Sequence, residues 1–81
     1  MKIGNKLKRL RQEKLLTQNE LADRCDLSKG FISQLERDLT SPSLSTLDDI
    51  LEALGTNIKD FFNDHEQEKI VFVFFFINET E

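Results

Sequence analysis

With 81 residues, of which 38% are apolar and 32% charged, the chain has room for one domain and a modest core, so oligomerisation is a natural way to add buried surface. A single cysteine excludes an internal disulfide, no apolar run nears the ~20 residues of a membrane-spanning helix, and no Arg-rich or apolar leader is visible, so a soluble, cytoplasmic protein is expected. The formal net charge of −4 argues against a polyanionic partner only if it is evenly spread.

In chain order, Ile3, Leu7 and Leu10 recur at i, i+4 and i+7 and predict a first helix running to about Lys14. Thr17 with Glu20 three residues later forms a capping box, which opens a second helix near residues 18–25. Asp26 tolerates the left-handed backbone that a sharp turn needs, and Ser28 caps a third helix near residues 29–36. Leu21, Ala22, Cys25, Leu27, Ile32 and Leu35 then face inward, while Lys29, Ser33 and Gln34 face out. Residues 39–42 form a connection whose proline discourages helix before it. Ser45, with Asp48 at the capping-box position, is the expected start of a fourth helix that buries Leu47, Ile50, Leu51 and Leu54 and stops at Gly55. Asn57 starts a short fifth helix carrying Ile58, Phe61 and Phe62.

Two short capped helices joined by a tight turn are the form of a helix-turn-helix DNA reader. The chain resembles the lambda-repressor-like, Cro-type (XRE) helix-turn-helix transcriptional regulators. The resemblance rests on Leu16-Thr17-Gln18, Glu20-Leu21-Ala22, residues 32–37 (Ile-Ser-Gln-Leu-Glu-Arg) and Pro42-Ser43-Leu44, in order, and covers roughly residues 2–63. It implies an all-α, five-helix DNA-binding domain over residues 1–65. It departs from the family at Leu15, Asp26 and Asp38, where the family often has glycine; the aspartates adopt such turns at modest cost, but a leucine at positive φ is strained, so a first turn of different shape is expected.

Charge distribution fits this expectation. Residues 1–37 hold nine Lys or Arg against five acids, a net of +4, whereas residues 38–81 net −8. Exposed charges act over a Debye length of about 8 Å, so the local sign matters more than the total, although a solvated face on the first helix would give the same count.

Side chains near the N-terminal half of a groove-reading helix meet base edges, which selects Ser28, Lys29, Ser33 and Gln34. Lys29 can donate to guanine, Gln34 can pair with adenine, and Ser33 permits close approach; Ser28 also serves as an N-cap, and an ordinary exposed helix face is the lesser alternative for Lys29 and Gln34. Gly30 is either a place where the helix backbone nears DNA or a tolerant surface position, and Phe31, one turn before Leu35, suits the core edge better than a thymine methyl. Phosphate contacts are expected from Thr17 and Gln18 at a helix N-terminus and from Arg37, Thr40 and Ser41 beyond the reading helix. The resemblance further implies that Arg11 pairs with Glu36 and can reach a phosphate, Glu36 being structural.

Residues 70–77 (Ile-Val-Phe-Val-Phe-Phe-Phe-Ile) read as a strand with two apolar faces. Left uncovered it would be an aggregation hazard. The favoured reading assigns residues 66–81 to dimerisation, with Ile70, Phe72, Phe74 and Phe76 pairing across a two-fold axis. Two others stay open: the first strand of a missing sensor barrel, or an extension of the fifth helix.

No catalytic, metal-binding or cofactor-binding constellation is evident. Asp48, Asp49 and Glu52 fit an exposed helix face, His65 has no His or Cys partner at ligand spacing, and Cys25 fits a core position. The expected function is sequence-specific double-stranded DNA binding as a homodimeric regulator, acting as a repressor on an inverted repeat, with any small-molecule effector unknown. The rival from another class is a protein-interaction module, such as an antitoxin, whose acidic half binds a partner protein.

Overall fold

The computed structural model describes residues 2–63, which form five helices: α1 (Gly4–Glu13), α2 (Gln18–Cys25), α3 (Lys29–Glu36), α4 (Leu44–Ala53) and α5 (Ile58–Phe61). The expected strand, with Ile70, Phe72, Phe74 and Phe76, lies outside the described residues. No helix among the described residues is long and apolar enough to cross a membrane.

Each helix contributes one apolar stripe. Leu7 of α1, Leu21 and Ala22 of α2, Ile32 and Leu35 of α3, Leu47, Ile50 and Leu51 of α4 and Phe61 of α5 meet in one buried cluster. Complete burial of such a side chain is worth about 1.5–3 kcal/mol, so the shared core holds together helices too short to persist alone. Within it, α3 packs on both α1 and α2, and α4 packs on α2 and α5. Cys25 and Phe31 pack against the core edge, and burial, aided by the charge of Asp49, pushes the Cys25 thiol pKa up.

The helix starts follow the expected chemistry, with one correction. Thr17, Ser28 and Asn57 cap α2, α3 and α5, each side chain accepting from a backbone N–H three residues on. The cap of α4 is Ser43, not Ser45: the Ser43 hydroxyl accepts from Thr46 N at 3.1 Å, and the helix begins two residues earlier than its pattern suggested. Pro42 is buried just before Ser43, so the extended backbone that a proline imposes on its neighbourhood is already anchored to the core when the helix starts.

The helix ends repeat one device. After α1, α2, α3 and α4 a residue at φ 58°, 57°, 58° and 75° turns the chain: Leu15, Asp26, Asp38 and Gly55. In each case the following residue's N–H reaches back five positions, to Arg11 O (3.1 Å), Ala22 O (2.9 Å), Gln34 O (2.9 Å) and Leu51 O (2.9 Å), as in a Schellman stop. Leu15 therefore takes the glycine conformation despite its side chain, against the expectation of a differently shaped turn. That side chain is 90% exposed, while buried Leu16 beside it secures the turn.

Candidate nucleic-acid interface

The outward side of α3 carries Lys29, Gly30, Gln34 and Arg37 exposed, with Ser33 half-buried among them. Ile32, Leu35 and Glu36 occupy the opposite, buried side. Ser28 sits at the tip as the N-cap, its Oγ accepting from Phe31 N at 3.0 Å. Arg37 is exposed after the last turn, and its Nε donates back to Ser33 O at 3.3 Å. Thr40 is half-buried and Ser41 exposed in the connection that follows.

The N-terminus of α2 lies beside the last turn of α3. Thr17 Oγ1 accepts from Glu20 N at 3.0 Å, and Glu20 Oε1 accepts from Thr17 N at 2.9 Å, completing the capping box. The N–H of Thr17 holds the exposed Glu20 carboxyl below its usual pKa. Gln18 is half-buried and its Nε2 donates to Glu36 Oε1 at 3.0 Å, so an amide expected to meet phosphate is steered by a carboxylate of α3.

Glu36 is the hub of this junction. Its carboxylate also accepts from Arg11 Nε at 2.6 Å and Nη2 at 3.0 Å, while Arg11 Nη1 donates to Leu16 O at 2.8 Å. Arg11 and Glu36 are only 8% and 6% exposed, and no buried side-chain nitrogen or oxygen among the described residues lacks a partner. The hydrogen bond to Glu36 raises the Arg11 pKa above its ordinary value against the opposing effect of burial. One bidentate pair thus joins α1, the turn into α2 and the end of α3.

Three positioning contacts were missed in the sequence. Gly4 N–H, at the start of α1, donates to Asp38 Oδ1 at 2.9 Å, so the residue that ends α3 also caps α1. Lys6 Nζ donates to Phe61 O and lies 4.8 Å from the Phe61 ring centroid, which ties this cation to α5. The third is the Gln18 bond to Glu36. All three join residues far apart in the chain, and no local pattern announces them.

Comparison with known proteins agrees with this geometry. The family model for Helix-turn-helix, HTH_3, matches residues 7–61. The chain is 41% identical over 58 residues to the immunity repressor protein of Bacillus phage phi105, covering 72% of this chain but only 40% of that repressor. It is 38% identical over 69 residues to the control protein C.MunI of Mycoplasma sp, covering 84% of this chain and 93% of that one. A solved structure of a C.Esp1396I point mutant bound to its highest affinity operator site superposes with a TM-score of 0.71 at 30% identity, covering 88% of this chain and 91% of that one. The chain belongs to the helix-turn-helix family HTH_3, of the Cro/C1 type.

Proposed function

We propose that this protein is a sequence-specific double-stranded DNA-binding transcriptional regulator, a repressor that binds an inverted-repeat operator as a homodimer and occludes the promoter. The observation that carries the reading is the outward face of α3, whose Lys29, Ser33 and Gln34 are aimed away from the core by a helix that Glu36 and Arg11 lock in place. In this reading Lys29 and Gln34 read base edges, with Ser28 and Ser33 allowing close approach. Thr17, Gln18, Arg37, Thr40 and Ser41 set the register on phosphates, and Arg11 acts chiefly by holding that surface in shape. The contact between two copies is assigned to the apolar sequence 70–77, through Ile70, Phe72, Phe74 and Phe76. Two-fold symmetry would then place two reading helices about 34 Å apart, one turn of the duplex.

Selection of bound fragments from a random duplex pool tests this. Recovered inverted repeats, with log affinity falling linearly in log salt at about −0.9 per phosphate contact, are the expected result. Failure to retain any duplex at low salt would overturn the reading and favour a protein-interaction module.

A further inference from the structure

Asp38 serves two helices at once. Its N–H closes α3 by donating to Leu35 O at 3.1 Å, and its Oδ1 accepts from Gly4 N at 2.9 Å at the start of α1. α1 has no cap of its own, since Ile3 at the N-cap position makes no side-chain cap hydrogen bond and the first turn carries no acid. A carboxylate supplied from the end of α3 therefore meets the free N–H groups and the positive dipole end of α1. Gly4 permits this approach, because a Cβ at that position would lie 2.6 Å from Leu35 O.

Two features count against an aspartate here. Its φ is 58°, a conformation that glycine adopts at less cost. It is also an exposed anion between Arg37 and Thr40, where it repels the phosphates assigned to Arg37, Thr40 and Ser41. Glycine would remove both penalties, but it would remove an anchor as well. In the connection from α3 to α4, Leu39 is 65% exposed, and Thr40 and Ser41 make no hydrogen bond among the described residues. The connection is held at its far end by buried Pro42. At its near end Leu39 N–H bonds Gln34 O within α3, and the Asp38 carboxylate alone ties this end to α1.

We propose that Asp38 is a positioning residue for DNA binding: its carboxylate fixes the start of the connection against α1, so that Thr40 and Ser41 reach the duplex backbone in step with α3. Asp38 itself touches neither base nor phosphate. Its role rests on the proposed DNA-binding function and extends it to a contact made wholly inside the subunit.

The test compares the full chain with its Asp38→Asn and Asp38→Gly variants. Both lose the charge and both suit the left-handed backbone, but only asparagine keeps an oxygen that can accept from Gly4 N–H. Affinity for the duplex recovered by random-pool selection is measured over a salt series, with thermal melting alongside. Asp38→Asn should bind at least as tightly as the parent with the same salt slope. Asp38→Gly should bind about tenfold more weakly than Asp38→Asn, with a slope smaller by about one phosphate contact. The proposal is overturned if the two variants bind within about twofold of each other, because charge alone would then account for Asp38. It is equally overturned if Asp38→Gly weakens with an unchanged slope or is already melted at the assay temperature, since the bond would then serve the fold and not the phosphate contacts. If the parent itself does not distinguish the selected duplex from a scrambled one of the same base composition, the DNA-reading function falls, an outcome separate from any result with the variants.

Discussion

Replacing Glu36 with alanine removes the acceptor of three hydrogen bonds, two from Arg11 and one from Gln18, and strands a guanidinium in a site where Arg11 is 8% exposed. Breaking a buried pair by deleting one partner costs about 3–5 kcal/mol, because the remaining charge stays desolvated. Arg11 keeps its bond to Leu16 O and its side chain retains 10% exposure, so water can reach part of the guanidinium and the lower end, about 3 kcal/mol, is expected. In a domain of this size, 1 kcal/mol moves the melting temperature by about 4–8 °C, so Glu36→Ala should melt roughly 12–24 °C below the parent. Urea melts at 25 °C should show the same loss in midpoint at unchanged slope. A double variant, Arg11→Met with Glu36→Leu, should recover part of the loss, because an apolar pair of similar volume leaves no buried charge, while Leu16 O and Gln18 Nε2 still lose their partners. If Glu36→Ala lost less than about 1 kcal/mol, the pair would be behaving like an exposed ion pair and would not lock α3 in place.

Three further outcomes follow from particular positions. Leu15→Gly relieves a left-handed backbone at a side chain that is 90% exposed, and should stabilise by about 0.5–1 kcal/mol in a denaturant melt after the entropy cost of glycine; a loss would show that the turn carries no strain. Gly4→Ala drives a methyl group into the Leu35 and Glu36 carbonyls and should cost about 1–3 kcal/mol by the same measurement, whereas a neutral result would mean that α1 and α3 can separate freely. The lowered Glu20 pKa implies stabilisation that is present above its unfolded value of 4.5 and lost as pH falls through its folded value. Glu20→Gln should therefore show a flatter melting temperature between about pH 5 and 3, and parallel curves for the two proteins would remove this linkage.

The parts of the fold that local chemistry dictates were legible in the sequence. Thr17 with Glu20, Ser28 and Asn57 announced their helices because a cap is written within four residues. The start of α4 was misplaced because two overlapping Ser-x-x patterns compete there, and the choice of Ser43 also recruits the half-buried Leu44 to the core. At Leu15 a local penalty of about 1–2 kcal/mol is outweighed by the burial of Leu16 and the hydrogen bonds that close α1, a tertiary effect that no residue preference reveals. The outward set of α3 could be read from periodicity, and its rigidity could not. That depends on Glu36 meeting Gln18 and Arg11, and on Asp38 reaching Gly4, contacts created only when the helices pack.

The most direct measurement is an amide chemical-shift map of the protein titrated with the selected duplex. The largest changes should fall on Thr17, Gln18, residues 28–34, Arg37, Thr40 and Ser41, with the acidic outer face of α4 at Asp48, Asp49 and Glu52 unmoved. Changes confined to α4, with α3 silent, would contradict the DNA-reading role of α3.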